Sequence, residues 1–253
     1  MVNRGKQTCK ILNDIRKQIT EVNACVRNIT LNAMWQMSDL ELSPKVIGIA
    51  RHRLQTDGEG VSTLVAFHGC PLRCRHCLNP QSRDKGRQWK RYDCAALYDE
   101  VKVDALYFLA TRGGVTFGGG EPCLQCEFIR EFRELCGREW LLTLETSLNV
   151  ERERIERLLP VVDRFIIDIK DMNPVIYKRY TGMDNEAVIR NLCLLIERGR
   201  AGDMIVRVPL IPGYNTDSDR MESCRQLEGM GVKHFDLFTY IIDRYDDSRK
   251  TNM

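Results

Sequence analysis

Leu12, Ile15, Ile19 and Val22 recur at steps of three and four, with Lys10, Asp14, Lys17 and Glu21 between them. That spacing puts apolar side chains on one face of a helix and charge on the other. Such a helix needs a surface for its stripe, either the domain it precedes or a partner. From about residue 46 the pattern changes to short β-rich runs alternating with helical ones. Strands are expected at Val61–His68, Gly114–Phe117, Leu141–Thr146, Arg164–Lys170, Met204–Val208 and His234–Tyr240. Helices are expected at Asp93–Ala110, Glu127–Cys136, Glu151–Leu159, Pro174–Tyr180, Glu186–Arg198 and Asp217–Met230, and Thr56-Asp-Gly-Glu-Gly60 reads as a turn. The expected division is an N-terminal helical extension, residues 1-45, and an α/β domain, residues 46-253.

Six strands alternating with helices argue for a parallel sheet, which in barrel form carries its active site at the carboxyl ends of the strands. Each expected strand ends in something unusual. In order these are Cys70-Pro-Leu-Arg-Cys74-Arg-His-Cys77, Gly118-Gly-Gly-Glu-Pro122, Glu145-Thr-Ser147, Asp168-Ile-Lys170, the stretch Arg207–Gly213, and Tyr240. One catalytic face explains all six.

Composition narrows the chemistry. The 253 residues are 43% hydrophobic, enough for one sizeable core, and 38 basic against 35 acidic residues leave a formal charge of +3. So even a balance makes no case for nucleic acid or an anionic membrane. Eleven cysteines without a signal-peptide pattern or a membrane-spanning apolar run point to a reduced, cytoplasmic chain whose thiols are ligands or buried groups.

Cys70, Cys74 and Cys77 offer three thiolates on one loop. Structural zinc closes its tetrahedron with a fourth ligand, and Cys123-Leu-Gln-Cys126 would leave one cysteine over. A 4Fe-4S cluster held by three cysteines keeps one iron open for chemistry. At Gly118–Gly120 bare backbone can approach a ligand, and Glu121 beside it suits an ammonium group; a tight strand-to-helix turn is the plainer reading. Asp168 and Lys170, two apart on a strand, face the same way. They are either a structural ion pair or part of a binding site, and Arg207 adds a cation on the neighbouring strand.

These motifs, in this order, resemble the pyruvate formate-lyase activating enzymes and their relatives, the glycyl-radical-enzyme activases of the radical S-adenosylmethionine (SAM) superfamily. The resemblance covers roughly residues 50 to 240. It implies a partial (β/α)6 TIM-like barrel in which Cys70, Cys74 and Cys77 hold a 4Fe-4S cluster whose free iron SAM chelates. It also implies SAM contacts from His76, Gly118, Gly119, Gly120, Glu121, Asp168, Lys170 and Arg207, and a monovalent cation near Glu145 and Thr146. A flavodoxin or ferredoxin would supply the electron that splits SAM, and the resulting radical would take hydrogen from a glycine of a partner enzyme. The alternative is a radical SAM enzyme modifying a peptide or small molecule. Three features depart from the family pattern: Ser62 stands where an Arg usually follows the turn, Glu145 where some members have Asp, and Ile241 where the best-known members have His. Between Pro80 and Gly118 there is only Cys94, so a single cluster is expected.

Overall fold

The computed structural model describes residues 43–54, 56–84, 86 and 89–241. The helix expected over Leu12–Val22 lies outside them. Apart from Ser43, the described residues belong to one unit, which begins at Pro44. Eight strands form one sheet: β1 (Lys45–Leu54), β2 (Val61–Phe67), β3 (Lys90–Arg91), β4 (Gly114–Gly119), β5 (Leu141–Thr146), β6 (Arg164–Asp168), β7 (Met204–Leu210) and β8 (Phe235–Thr239). Their spatial order is β3-β1-β2-β4-β5-β6-β7-β8. From β2 to β8 every pairing is parallel, so the six expected strands form the partial barrel. Among the described residues no strand pairs with the outer edge of β8.

Two strands were not expected. β1 runs antiparallel to β2 and β3 antiparallel to β1. The register of β1 slips between Ala50 and Arg53, where His52 takes a positive φ of 55°. A bulge of this kind breaks the two-residue alternation by which a strand is recognised in sequence. The helix expected over Asp93–Ala110 is likewise split into Cys94–Val101 and Ala105–Thr111 by a 3-10 turn at Lys102–Asp104. The other helices lie where expected, within one or two residues at each end: Cys126–Cys136, Arg152–Leu158, Pro174–Thr181, Glu186–Glu197 and Asp217–Met230. No helix among the described residues is long and apolar enough to cross a membrane.

Alternation along each parallel strand sorts its side chains into two environments. Val65, Phe67, Val115, Phe117, Leu142, Leu144, Phe165, Ile167, Val206 and Val208 join one apolar cluster with helix residues such as Phe128, Phe132, Ile155 and Leu192. The residues between them, including Thr116, Thr143, Glu145, Ile166, Asp168 and Arg207, belong to the opposite face, the inside of the barrel. The outer layer is therefore oily and the lumen polar. A polar lumen is stable only where its groups satisfy one another or hold a ligand.

Phe117 is fully buried, stacked on Phe67 at 5.5 Å between ring centres and edge-on to Phe132 at 5.4 Å. Phe117→Ala is expected to cost about 3–5 kcal/mol. In urea unfolding this appears as a lower midpoint with an unchanged slope.

Candidate active site

The cysteine loop leaves the carboxyl end of β2 and is pinned through its backbone. Gly69 N donates to Ser82 O at 2.7 Å, Arg73 N to Thr181 O at 2.8 Å and Arg75 N to Tyr180 O at 3.2 Å. Leu72 is buried beneath it. The loop thus rests on the end of helix Pro174–Thr181 on one side and on the glycine run on the other. There Gly120 N donates to Phe67 O at 2.8 Å and Glu121 N to Gly69 O at 2.7 Å. A Cβ at Gly120 would stand 2.1 Å from Gly69 O, and Gly119 has a φ of 87°. Only glycine fits both demands.

Glu121 is buried, and its carboxylate accepts four hydrogen bonds: from Cys123 N (3.2 Å), Thr146 Oγ1 (2.6 Å), Ser147 N (3.0 Å) and Ser147 Oγ (2.7 Å). A carboxylate has about four acceptor sites, so Glu121 is fully engaged in tying the end of β4 to the end of β5. This gives it a positioning role that its spacing in sequence did not reveal, with Ser147 as the unforeseen partner. Cys123 and Cys126 sit behind it. Both are buried, Cys123 with its Sγ 3.3 Å from Thr146 Oγ1. Burial holds the Cys123 thiol well above its ordinary pKa, and the Glu121 carboxylate adds to this. Neither cysteine offers a fourth ligand.

Inside the barrel, Asp168, Arg207 and Asp236 are in register across β6, β7 and β8. Arg207 meets Glu145 Oε1 at 2.6 Å, Asp236 at 3.3 Å and Thr56 O at 2.9 Å. Burial and the nearby Asp168 raise the Glu145 pKa against the pull of Arg207. Lys170 is buried, with Nζ 2.9 Å from Asp168 Oδ2 and 3.0 Å from Tyr240 Oη. Burial works against its charge, but Asp168, Tyr240 and Cys74 outweigh it and hold the pKa well above the usual lysine value. An ammonium carries three N–H donors, and the third has no acceptor among the described residues. Asp168 Oδ1 and His76 Nε2 are also buried without hydrogen-bond partners among them. The His76 ring lies edge-on to Tyr214 at 5.6 Å and tilted over Tyr180 at 6.0 Å. Tyr180 and Tyr240 cluster with Ile211 against Cys74. These tyrosines come from three distant segments; Tyr240 stood out as a strand end, but no local pattern marks Tyr180 or Tyr214.

Below this face the hairpin turn closes on itself. Ser62 Oγ donates to Asp57 Oδ2 at 2.5 Å, and Arg53, the cross-strand neighbour of Ser62, meets Asp57 Oδ1 at 2.9 Å. A cation thus reaches the turn from β1 rather than from position 62. A cavity of about 950 Å³ opens at this opposite end, lined by residues such as Leu141, Arg164, Met204 and His234 at or near the strand starts. Its arginine is engaged with Glu59 O at 3.1 Å. Asp57 of the turn also lines it, but none of the cysteine loop, the glycine run, Asp168, Lys170 or Arg207 does.

The three loop thiols act on one another and on the same charges. Burial pushes the Cys70 thiol up to about 12, with Glu121, Cys74 and Cys77 adding to the shift. Cys74 is raised as well, burial outweighing the pull of Lys170. Among the described residues no three His, Cys, Asp or Glu side chains converge on a single-ion position. A cubane asks for something wider, one thiolate on each of three irons. The loop fits such a cluster, with the spare donor of Lys170 and the spare oxygen of Asp168 beside it.

The sequence profile of the Radical SAM superfamily matches residues 64–227. The chain is 30% identical over 228 residues to the (2S)-3-sulfopropanediol dehydratase activating enzyme of Klebsiella oxytoca, covering 66% of this chain and 71% of that one. It is 30% identical over 209 residues to the pyruvate formate-lyase 2-activating enzyme of Escherichia coli, covering 70% of each. Among solved structures, QueE from Escherichia coli matches with a TM-score of 0.51 at 12% identity, over 83% of this chain and 87% of that one. Streptococcus suis SuiB matches at 0.54 and 12%, over 70% of this chain and 39% of that one. At these identities the solved structures speak to the fold alone.

Metal thiolates form only once the thiol protons leave. Because the pKa values of Cys70 and Cys74 are raised, cluster assembly is expected to strengthen with pH. Between about pH 7 and pH 9 the apparent affinity for iron should rise by about tenfold per unit for each thiol that must ionise. Anaerobic reconstitution followed by visible absorbance checks the sign.

Proposed function

The chain belongs to the radical SAM superfamily, and from that premise we propose that it is an activating enzyme that places a glycyl radical on a partner protein. The observation that carries this reading is the convergence on one face of Cys70, Cys74, Cys77, the glycine run and the Asp168–Lys170 pair, beside a barrel on whose β8 edge no further strand pairs among the described residues. Cys70, Cys74 and Cys77 would hold a 4Fe-4S cluster, which would supply the one-electron reductive cleavage of SAM that provides the hydrogen-abstracting radical.

The chain's own residues do the rest. Backbone carbonyls along Gly118–Gly120 receive the SAM ammonium, and the spare donor of Lys170 receives its carboxylate. Arg207 is committed to Glu145 and Asp236, so its part in this reading is to hold the acidic wall beside SAM in place. That wall suits a monovalent cation, to which Thr146 has only its backbone to offer, its hydroxyl being engaged with Glu121 and Leu148. Glu121 keeps the glycine run against the cysteine loop, and His76 stands with its unpartnered nitrogen on the ligand side of the loop. A six-stranded barrel also leaves room for a loop of another protein. Glycine suits that approach, since it has no side chain and its α-carbon radical is delocalised over two amides.

The electron donor in this reading is a flavodoxin or ferredoxin, and the setting is the cytoplasm, in keeping with nine described cysteines that are all free. Neither nucleic acid nor membrane takes part.

Replacing any one of Cys70, Cys74 and Cys77 by Ala is expected to abolish the cluster and SAM cleavage together, read as iron content and 5'-deoxyadenosine yield. Lys170→Ala is expected to keep the cluster but lose a charge-assisted bond of about 1.5–3 kcal/mol. Equilibrium dialysis should then show SAM dissociation rising by about tenfold to hundredfold. Unchanged affinity returns Asp168 and Lys170 to a structural pair. The function itself is tested with reduced enzyme, SAM and the organism's glycyl-radical enzymes carrying α-deuterated glycine. Deuterium in 5'-deoxyadenosine and a glycyl doublet in the electron paramagnetic resonance spectrum are expected; label drawn instead from a peptide or small molecule replaces the reading.

A further inference from the structure

The outer side of the cysteine loop carries charges that the site does not use. Arg73 and Arg75 flank Cys74 and are exposed, as is Lys178 in the last turn of helix Pro174–Thr181. None of the three side chains makes an ion pair or hydrogen bond among the described residues. Residues 70–82 and 177–183 contain no Asp or Glu; the first acids beyond them are Asp84 and Asp184. The two segments are held together by the bonds from Arg73 N to Thr181 O and from Arg75 N to Tyr180 O, so the three cations stand on one pinned ridge. Leu78, the residue after Cys77, leaves 76% of its surface exposed on the same loop, and Met183 leaves 39%.

The plain explanation of a cation in the last turn of a helix is its attraction to the helix dipole. That accounts for Lys178 and for Arg179, whose guanidinium donates to Tyr214 O and lies 5.3 Å over that ring. It does not account for Arg73 and Arg75, which belong to no helix. Two unpaired arginines around a half-buried ligand thiol, with an exposed leucine beside them, have the make-up of a docking surface: an apolar centre with a charged rim.

We propose that this ridge, Arg73, Arg75 and Lys178 around Leu78, is where an acidic one-electron carrier protein docks. The inference rests on the reading of Cys70–Cys77 as the cluster loop. A formal charge of +3 on 253 residues leaves little long-range attraction, so steering of an anionic partner has to come from a local patch. Position selects the carrier over the protein that presents the glycine. The ridge lies on the solvent side of the loop, and the glycine run and Lys170 lie on the other, where SAM and the target must meet. A carrier seated on the ridge passes one electron to the cluster across the thickness of the loop. The carrier loses one electron, the cluster gains one, and no bond is made or broken.

The test compares the wild-type protein with the charge reversal Arg73→Glu, Arg75→Glu, Lys178→Glu, and with the milder Arg73→Gln, Arg75→Gln pair. Flavodoxin is the probe. Calorimetric titration of flavodoxin into cluster-loaded protein should give an affinity that weakens from about 50 mM to about 300 mM salt in the wild type. Binding should fall by about tenfold or more in the reversed variant and by less in the neutral pair. Stopped-flow reduction of the cluster by reduced flavodoxin should slow in the same order, while reduction by photoreduced 5-deazariboflavin, which is uncharged, should not. Wild-type binding and rates in both variants overturn the proposal. So does a variant that accepts electrons normally from flavodoxin yet fails to draw deuterium from the partner's glycine, because the ridge then seats the substrate protein. If the wild-type chain assembles no cluster, the functional reading beneath it fails instead, an outcome these rates keep separate.

Discussion

The site depends on one close approach, that of Gly120 beneath the carbonyl of Gly69. Two backbone hydrogen bonds, Gly120 to Phe67 and Glu121 to Gly69, fasten the start of the cysteine loop to the end of the neighbouring strand, and no side chain could stand between them. The same step carries Glu121 into the interior, where its carboxylate collects donors from Cys123, Thr146 and Ser147. Three strand ends are thereby held as one platform. The three thiols and the glycine run share it, so their relative positions are set by the protein itself.

The lumen shows why a ligand is wanted. Buried charge is costly unless paired, and most of it here is paired: Arg207 with Glu145 and Asp236, Lys170 with Asp168 and Tyr240. Among the described residues, buried polar atoms left without a hydrogen bond include Asp168 Oδ1 and His76 Nε2 at the carboxyl ends of the strands and Thr116 Oγ1 deeper in the lumen. At the other end of the barrel Asp57, Asp163, Asp203 and Arg164 are each met by a partner from the protein itself. The polarity of the two ends, rather than cavity size, marks the working face.

Much of this could be read from residue order. Parallel strands buried on both faces announce themselves by apolar runs such as Phe165–Ile167, and the residues at their ends stood out because each broke such a run. The two-residue spacing of Asp168 and Lys170 put them on one side in sequence, and they do meet, although β6 ends at Asp168 and Lys170 lies just beyond it. β1 escaped because its bulge at His52 destroys the alternation. Tyr180 and Tyr214 escaped because only folding brings them beside Cys74, and isolated tyrosines look like core; Tyr240 stood out as a strand end, but not its bond to Lys170. The spacing of Glu121 was visible, but that its carboxylate would be saturated by Thr146 and Ser147 depends on the parallel neighbourhood of β4 and β5, which no local pattern encodes.

Arg53 and Ser62 face each other across the antiparallel ladder and both reach Asp57. In the family this chain resembles, the cation at the turn usually stands at the position of Ser62. Here it comes from the opposite strand, and the charge at Asp57 is met all the same. Cross-strand partners present their side chains to one face, so a substitution that removes the cation at one position can be compensated at the other without moving the backbone. Lineages that lose the arginine after the turn are then expected to gain one nine residues earlier, on β1. The two positions would co-vary across homologues while Asp57 between them stays fixed, leaving an evolutionary trace of an ion pair whose two halves need not keep their places.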